Sequence, residues 1–99
     1  MSASAGAIQL TLLIRAYCHL CDDMAGALAP IAAAHGADIV TIDVDAHPSL
    51  ETAHGDRVPV LFLGPVEAGV ELCHYHLDAT RVARALANVS PTPAARAQN

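Results

Sequence analysis

Ile8, Leu10, Leu12 and Ile14 alternate with Gln9, Thr11 and Leu13, a period of two that predicts a β-strand. Leu13 makes the far end apolar on both faces, as an interior strand requires. From Leu20 the period lengthens. Leu20, Met24, Leu28 and Ile31 fall on one face of a helix. Asp22 and Asp23 stand in its first turn, where negative charge suits the helix dipole, and Gly36 is placed to cap its end. Pro30 removes one N–H and crowds the carbonyl of Gly26, which predicts a kinked helix rather than two helices. Ile39 to Val44 is rich in β-branched residues and reads as a second strand. A helix between two strands implies a right-handed crossover and parallel pairing.

The second half is more broken. Asp45-Ala46-His47-Pro48 predicts a turn, and Ser49 to His54 a short helix with Ser49 as its N-cap. Gly55 and Asp56 end it. Val58 to Leu63 predicts a third strand with Pro59 at its start, where a missing donor is tolerated. Gly64 to Gly69 turns the chain. Val70 to His76 alternates and predicts a fourth strand, antiparallel to the third. Asp78 is placed to cap a last helix, with Val82, Ala85, Leu86 and Val89 inward and Arg81 and Arg84 outward. Residues 1–6 read as a frayed start. Residues 90–99, with Pro91 and Pro93, read as a flexible tail after a domain spanning 1–89. The order is β-α-β-(short α)-β-β-α, an α/β domain.

With 99 residues, 54% hydrophobic and 15% charged, the chain fits one small folded domain and not a disordered segment. Only Tyr17, Phe62 and Tyr75 are aromatic, so Leu, Ile, Val and Ala must build the core. A net charge of −5 argues against a nucleic-acid partner or an anionic membrane surface. The N-terminus lacks the basic region of a secretory signal, and Ile8 to Ile14 falls far short of the ~20 residues that span a bilayer. A cytoplasmic protein is expected. Three cysteines, an odd number, fit a reducing compartment better than a stapled secreted scaffold.

The chemistry concentrates in Cys18-His19-Leu20-Cys21, at the junction of the first strand and first helix. A thiol there meets backbone N–H groups and the positive end of the helix dipole, which favour the reactive thiolate. Cys18 is thus the expected nucleophile. Cys21, one turn on, is within reach to close a disulfide and release a bound substrate. A protonated His19 would help hold the thiolate, whereas Asp22 and Asp23 oppose it. Tyr17 flanks the motif. No cofactor is required for such exchange.

Tyr17-Cys18-His19-Leu20-Cys21, Asp43-Val44-Asp45-Ala46-His47-Pro48 and Val58-Pro59-Val60-Leu61, at these offsets, resemble the thioredoxin superfamily and glutaredoxins in particular. The chain is most similar to a compact bacterial glutaredoxin-like group with a C-H-L-C motif. The resemblance covers roughly residues 8–89. It implies a thioredoxin-like fold, a central four-stranded mixed sheet flanked by helices. It implies thiol–disulfide oxidoreductase activity on protein or small-molecule disulfides, serving electron transfer and redox homeostasis. It also implies a cis Pro59 facing the cysteines, with the Val58 backbone pairing to an extended substrate. Arg15 stands where glutaredoxins place a basic residue for a glutathione carboxylate, and Asp78 where they contact the other end of that tripeptide. The glycines that usually precede that aspartate are absent from Cys73 to Leu77, and Leu20 replaces the usual aromatic. Glutathione is therefore open as co-substrate, as is a reductant of the thioredoxin-reductase type.

Two other readings use the same residues. Cys18, Cys21, Cys73 and His76 would form a zinc site if they met, and the CxxC alone would serve a zinc or iron–sulfur module. On a continuous strand, however, Cys73 and His76 point to opposite faces, so no metal ligand is assigned. The remaining reading is a redox-silent adaptor that keeps the groove of the fold.

Overall fold

The computed structural model describes residues 8–89, so residues 1–7 and the expected tail lie outside the described residues. Strand β1 (Ile8–Ile14) leads into helix α1 (His19–His35), then β2 (Ala37–Asp43) and the short helix α2 (Pro48–His54). Strands β3 (Val60–Leu63) and β4 (Val70–His74) and helix α3 (Ala79–Asn88) complete the chain. The sheet order is β2-β1-β3-β4. β1 pairs parallel with β2 and antiparallel with β3, and β3 pairs antiparallel with β4. The expected order and the four-stranded mixed sheet are both present.

β1 is interior, and its near-continuous apolar run serves two cores. Leu10 and Leu12 pack with Met24, Leu28, Leu61, Leu72, Val82 and Leu86 beneath α1 and α3. Leu13 packs with Val44, Val60 and Phe62, against Leu50 of α2 and Val58. Thr11, also buried, donates to the Gly64 carbonyl at 2.8 Å, so its hydroxyl is satisfied.

Several boundaries differ from the sequence expectation. α1 does run as one helix through Pro30, as expected; the lost bond would have gone to Gly26, and both residues are exposed, so water can serve the freed carbonyl. Its buried stripe is Cys21, Met24, Leu28 and Ala32, while Leu20 and Ile31 are only half-buried. Gly36 ends α1 at φ 66°, the left-handed backbone that favours glycine. Pro48, not Ser49, opens α2, because a first-turn residue has no use for its N–H; His47 occupies the cap position. β2 starts two residues earlier than expected. β4 stops at His74, because Tyr75 turns the chain at φ 64°.

Asp78 caps α3 as expected, accepting from the Arg81 N–H at 3.0 Å. Asp78→Ala is expected to lower the unfolding free energy by about 1 kcal/mol, read from the urea midpoint. No helix among the described residues is long and apolar enough to cross a membrane.

Candidate functional site

The C-terminal end of β1, the start of β3 and the end of β4 meet at one edge of the sheet, since Leu13 pairs with Val60 and Val60 with His74. The dithiol lies at this end. After Ile14 the chain turns through Arg15, Ala16 and Tyr17 into α1. Tyr17 is fully exposed at φ 58°. A bulky residue in left-handed backbone is unusual and costs roughly 1–3 kcal/mol.

Cys18 is the N-cap of α1. Its Sγ accepts the Cys21 N–H at 3.1 Å, and its carbonyl accepts from Asp22 N–H at 3.1 Å. The cap oxygen of an ordinary helix is here a sulfur. Cys18 and Cys21 are disulfide-bonded, with Cα atoms 5.2 Å apart. The two sulfurs are not equivalent: Cys18 is half-buried, whereas Cys21 is only 3% exposed and forms part of the apolar stripe. His19, the first helical residue, is exposed.

The Val58–Pro59 peptide is cis, as expected. Pro59 is fully buried and Val58 half-buried. The Pro59 carbonyl accepts from the Tyr75 N–H at 2.9 Å, and the Tyr75 hydroxyl donates to the Asp56 carbonyl at 3.0 Å. Tyr75 therefore braces this segment from the far side, a role the alternating pattern of β4 concealed.

Arg15 is closed into the protein. It grips Asp45 through Nε and Nη2, at 3.3 and 3.0 Å, donates to Glu51 at 3.0 Å and to the Gly55 carbonyl at 3.3 Å. The carboxylates of Asp45 and Glu51 raise its pKa above the ordinary guanidinium value. Gly55 makes room for this arrangement, because a Cβ there would stand 2.7 Å from Glu51 Oε2 and 3.2 Å from Arg15 Nη2. The contacts of Arg15 with Asp45, Glu51 and Gly55 are not legible in the sequence, since the partners lie 30–40 residues from Arg15. Arg57 is likewise held, by Glu71 at 2.8 Å and His54 at 2.8 Å.

Glu71, Cys73, His74, His76, Asp78 and Arg81 line an open groove of about 370 Å³ beside β4. The turn at Tyr75 brings Cys73 and His76 to one groove, which the expectation of a continuous strand denied. Among the described residues, no three His, Cys, Asp or Glu side chains are arranged to hold a metal ion. Burial pushes the Cys73 thiol up, outweighing the Asp78 backbone N–H that favours its thiolate. Cys73 is therefore expected to alkylate more slowly than free cysteine at neutral pH. Its folded pKa is raised, so the native state holds its proton where the unfolded chain has released it. That contribution to stability is complete below the ordinary thiol pKa of ~8.5 and is lost as pH rises through the folded value. Cys73→Ser should flatten the alkaline fall in a urea-midpoint profile.

The profile of the glutaredoxin-like domain (DUF836) matches residues 9–87. The chain belongs to this glutaredoxin-like family. The X-ray structure of target protein XcR50 from X. campestris is 38% identical, covers 81% of this chain and 97% of its own, and has a TM-score of 0.63. A solved structure from Nitrosomonas europaea is 33% identical, covers 80% of this chain and 91% of its own, and has a TM-score of 0.69. The germline-specific thioredoxin Deadhead of Drosophila melanogaster is 16% identical, with a TM-score of 0.64 over 88% of this chain and 85% of its own. That last likeness is one of fold. The glutaredoxin-like domain thus has a thioredoxin-like fold, with its cysteine pair at disulfide distance.

Proposed function

We propose that this glutaredoxin-like protein is a thiol–disulfide oxidoreductase, with Cys18 as nucleophile and Cys21 as resolving thiol. The observation that supports it most is the pairing of a reachable sulfur at the α1 N-cap with a buried partner one turn on. The Cys18 thiolate attacks one sulfur of a substrate disulfide. That S–S bond breaks, a new one forms to Cys18, and one thiol leaves with a proton. Cys21 then attacks Cys18 and expels the second thiol. Two electrons and two protons pass from the dithiol to the substrate, and a thiol donor must return them. The Val58–Pro59 segment is the platform for the substrate chain, and the cytoplasm, with its thiol pool, is the compartment in which such a cycle would run.

The test mixes pre-reduced protein with a neutral disulfide, hydroxyethyl disulfide, and reads the products by mass spectrometry. The expected result is stoichiometric loss of two hydrogen atoms from the Cys18–Cys21 peptide and two equivalents of released thiol. A dithiol that stays reduced, or that carries bound metal and does not exchange, would contradict the proposal.

A further inference from the structure

We propose that the redox face selects disulfides flanked by basic residues on a partner polypeptide, and discriminates against anionic ones such as glutathione disulfide. This rests on the oxidoreductase reading and specifies its substrate class. The charge around the dithiol carries it. Asp22 and Asp23 follow Cys21 on α1, and both are exposed. Asp43, at the end of β2, pairs in register with Ile14, and Asp56 precedes the Val58–Pro59 segment. The chain contains no lysine, so every permanently charged cationic side chain is an arginine. Of the arginines at this end, Arg15 is consumed by Asp45 and Glu51, and Arg57 by Glu71. Arg81 lies farther round, beyond Asp78, with its guanidinium on the Leu72 carbonyl. Among the described residues, no arginine immediately beside Cys18 is left to meet an incoming carboxylate. Arg15 acts instead as a positioning residue that ties the chain entering α1 to the segment running toward Pro59.

Tyr17 supplies the second, independent feature. Its ring stands fully in solvent, immediately before the nucleophile, in backbone that a bulky side chain rarely adopts. An exposed aromatic face in an acidic field fits an arginine or lysine flanking the disulfide, through cation–π contact and charge together. An anionic tripeptide meets repulsion and, among the described residues, no free guanidinium beside Cys18; His19, next to that sulfur, offsets the repulsion only when protonated.

The experiment follows single-turnover oxidation of the reduced protein by two symmetrical peptide disulfides, one with lysines flanking the cysteine and one with glutamates, and by glutathione disulfide. Each rate is divided by that of dithiothreitol with the same disulfide, which removes differences in sulfur reactivity. The lysine peptide is expected to react about tenfold faster than either anionic disulfide at low salt. The ratio should approach one at 1 M salt, where the screening length is about 3 Å. Asp22→Asn/Asp23→Asn and Tyr17→Ala should each narrow it. A corrected glutathione disulfide rate equal to or above that of the lysine peptide overturns the specificity while leaving the redox function intact. Failure of all three disulfides to oxidise the protein overturns both.

Discussion

Cys18→Ser is expected to reduce disulfide-reductase turnover to the uncatalysed rate, while Cys21→Ser accumulates a mixed disulfide with the substrate. The asymmetry follows from exposure. Cys18 can be reached by a substrate sulfur, and its Sγ already accepts the Cys21 N–H. Cys21, at 3% exposure, cannot be reached from solvent but faces Cys18 across one turn. Removing the first sulfur removes the attacking atom. Removing the second leaves attack intact and blocks release. A gel-shift or mass assay with a small disulfide in excess reads both results. Full dithiol turnover by Cys21→Ser would show that the roles are assigned to the wrong sulfurs. Cys73→Ser should leave turnover unchanged, because burial disfavours its thiolate.

The second large effect is structural. Leu28→Ala is expected to destabilise the protein by about 2–5 kcal/mol, against a total of roughly 5–15 kcal/mol for a domain of this kind. Leu28 is fully buried and holds α1 against the sheet together with Met24 and Ala32. Its methyl groups sit among close-packed strand and helix side chains, so their removal leaves a cavity. The helix it anchors also carries the Cys18 cap, so the same variant should loosen the site before the fold is lost. Urea denaturation with an unchanged m-value reads the stability. A loss below about 1 kcal/mol would show that α1 is held in some other way.

Much of this was legible in the chain. Strand β1 and the strand-to-helix junction follow from the change of hydrophobic period around Cys18, and Asp78 was readable as a cap from its place before an amphipathic run. The stripe expected for α1, Leu20, Met24, Leu28 and Ile31, leaves out Cys21, whose chemistry hides its apolar character. Counted as a small apolar residue, it completes the face with Met24, Leu28 and Ala32. The end of β4 was hidden for a different reason. Its alternation continues through His76, and what stops the strand is the backbone of Tyr75, whose N–H and hydroxyl reach Pro59 and Asp56. The closure of Arg15 onto Asp45 and Glu51 depends on packing of the segment after β2 against the end of β1. No local pattern encodes that contact, so Arg15 read as a free cation.

The central claim is that Cys18 and Cys21 form a reversible two-electron couple. Its most direct test equilibrates the protein in graded thiol/disulfide buffers, quenches exchange with acid, tags the free thiols of the unfolded chain at neutral pH with a mass-tagged alkylating reagent, and locates the tags by peptide mapping. The account predicts one transition in which the tags on Cys18 and Cys21 appear and vanish together, with Cys73 tagged throughout. A pair that stays fully tagged under every buffer, or a disulfide that forms through Cys73 instead, would contradict it.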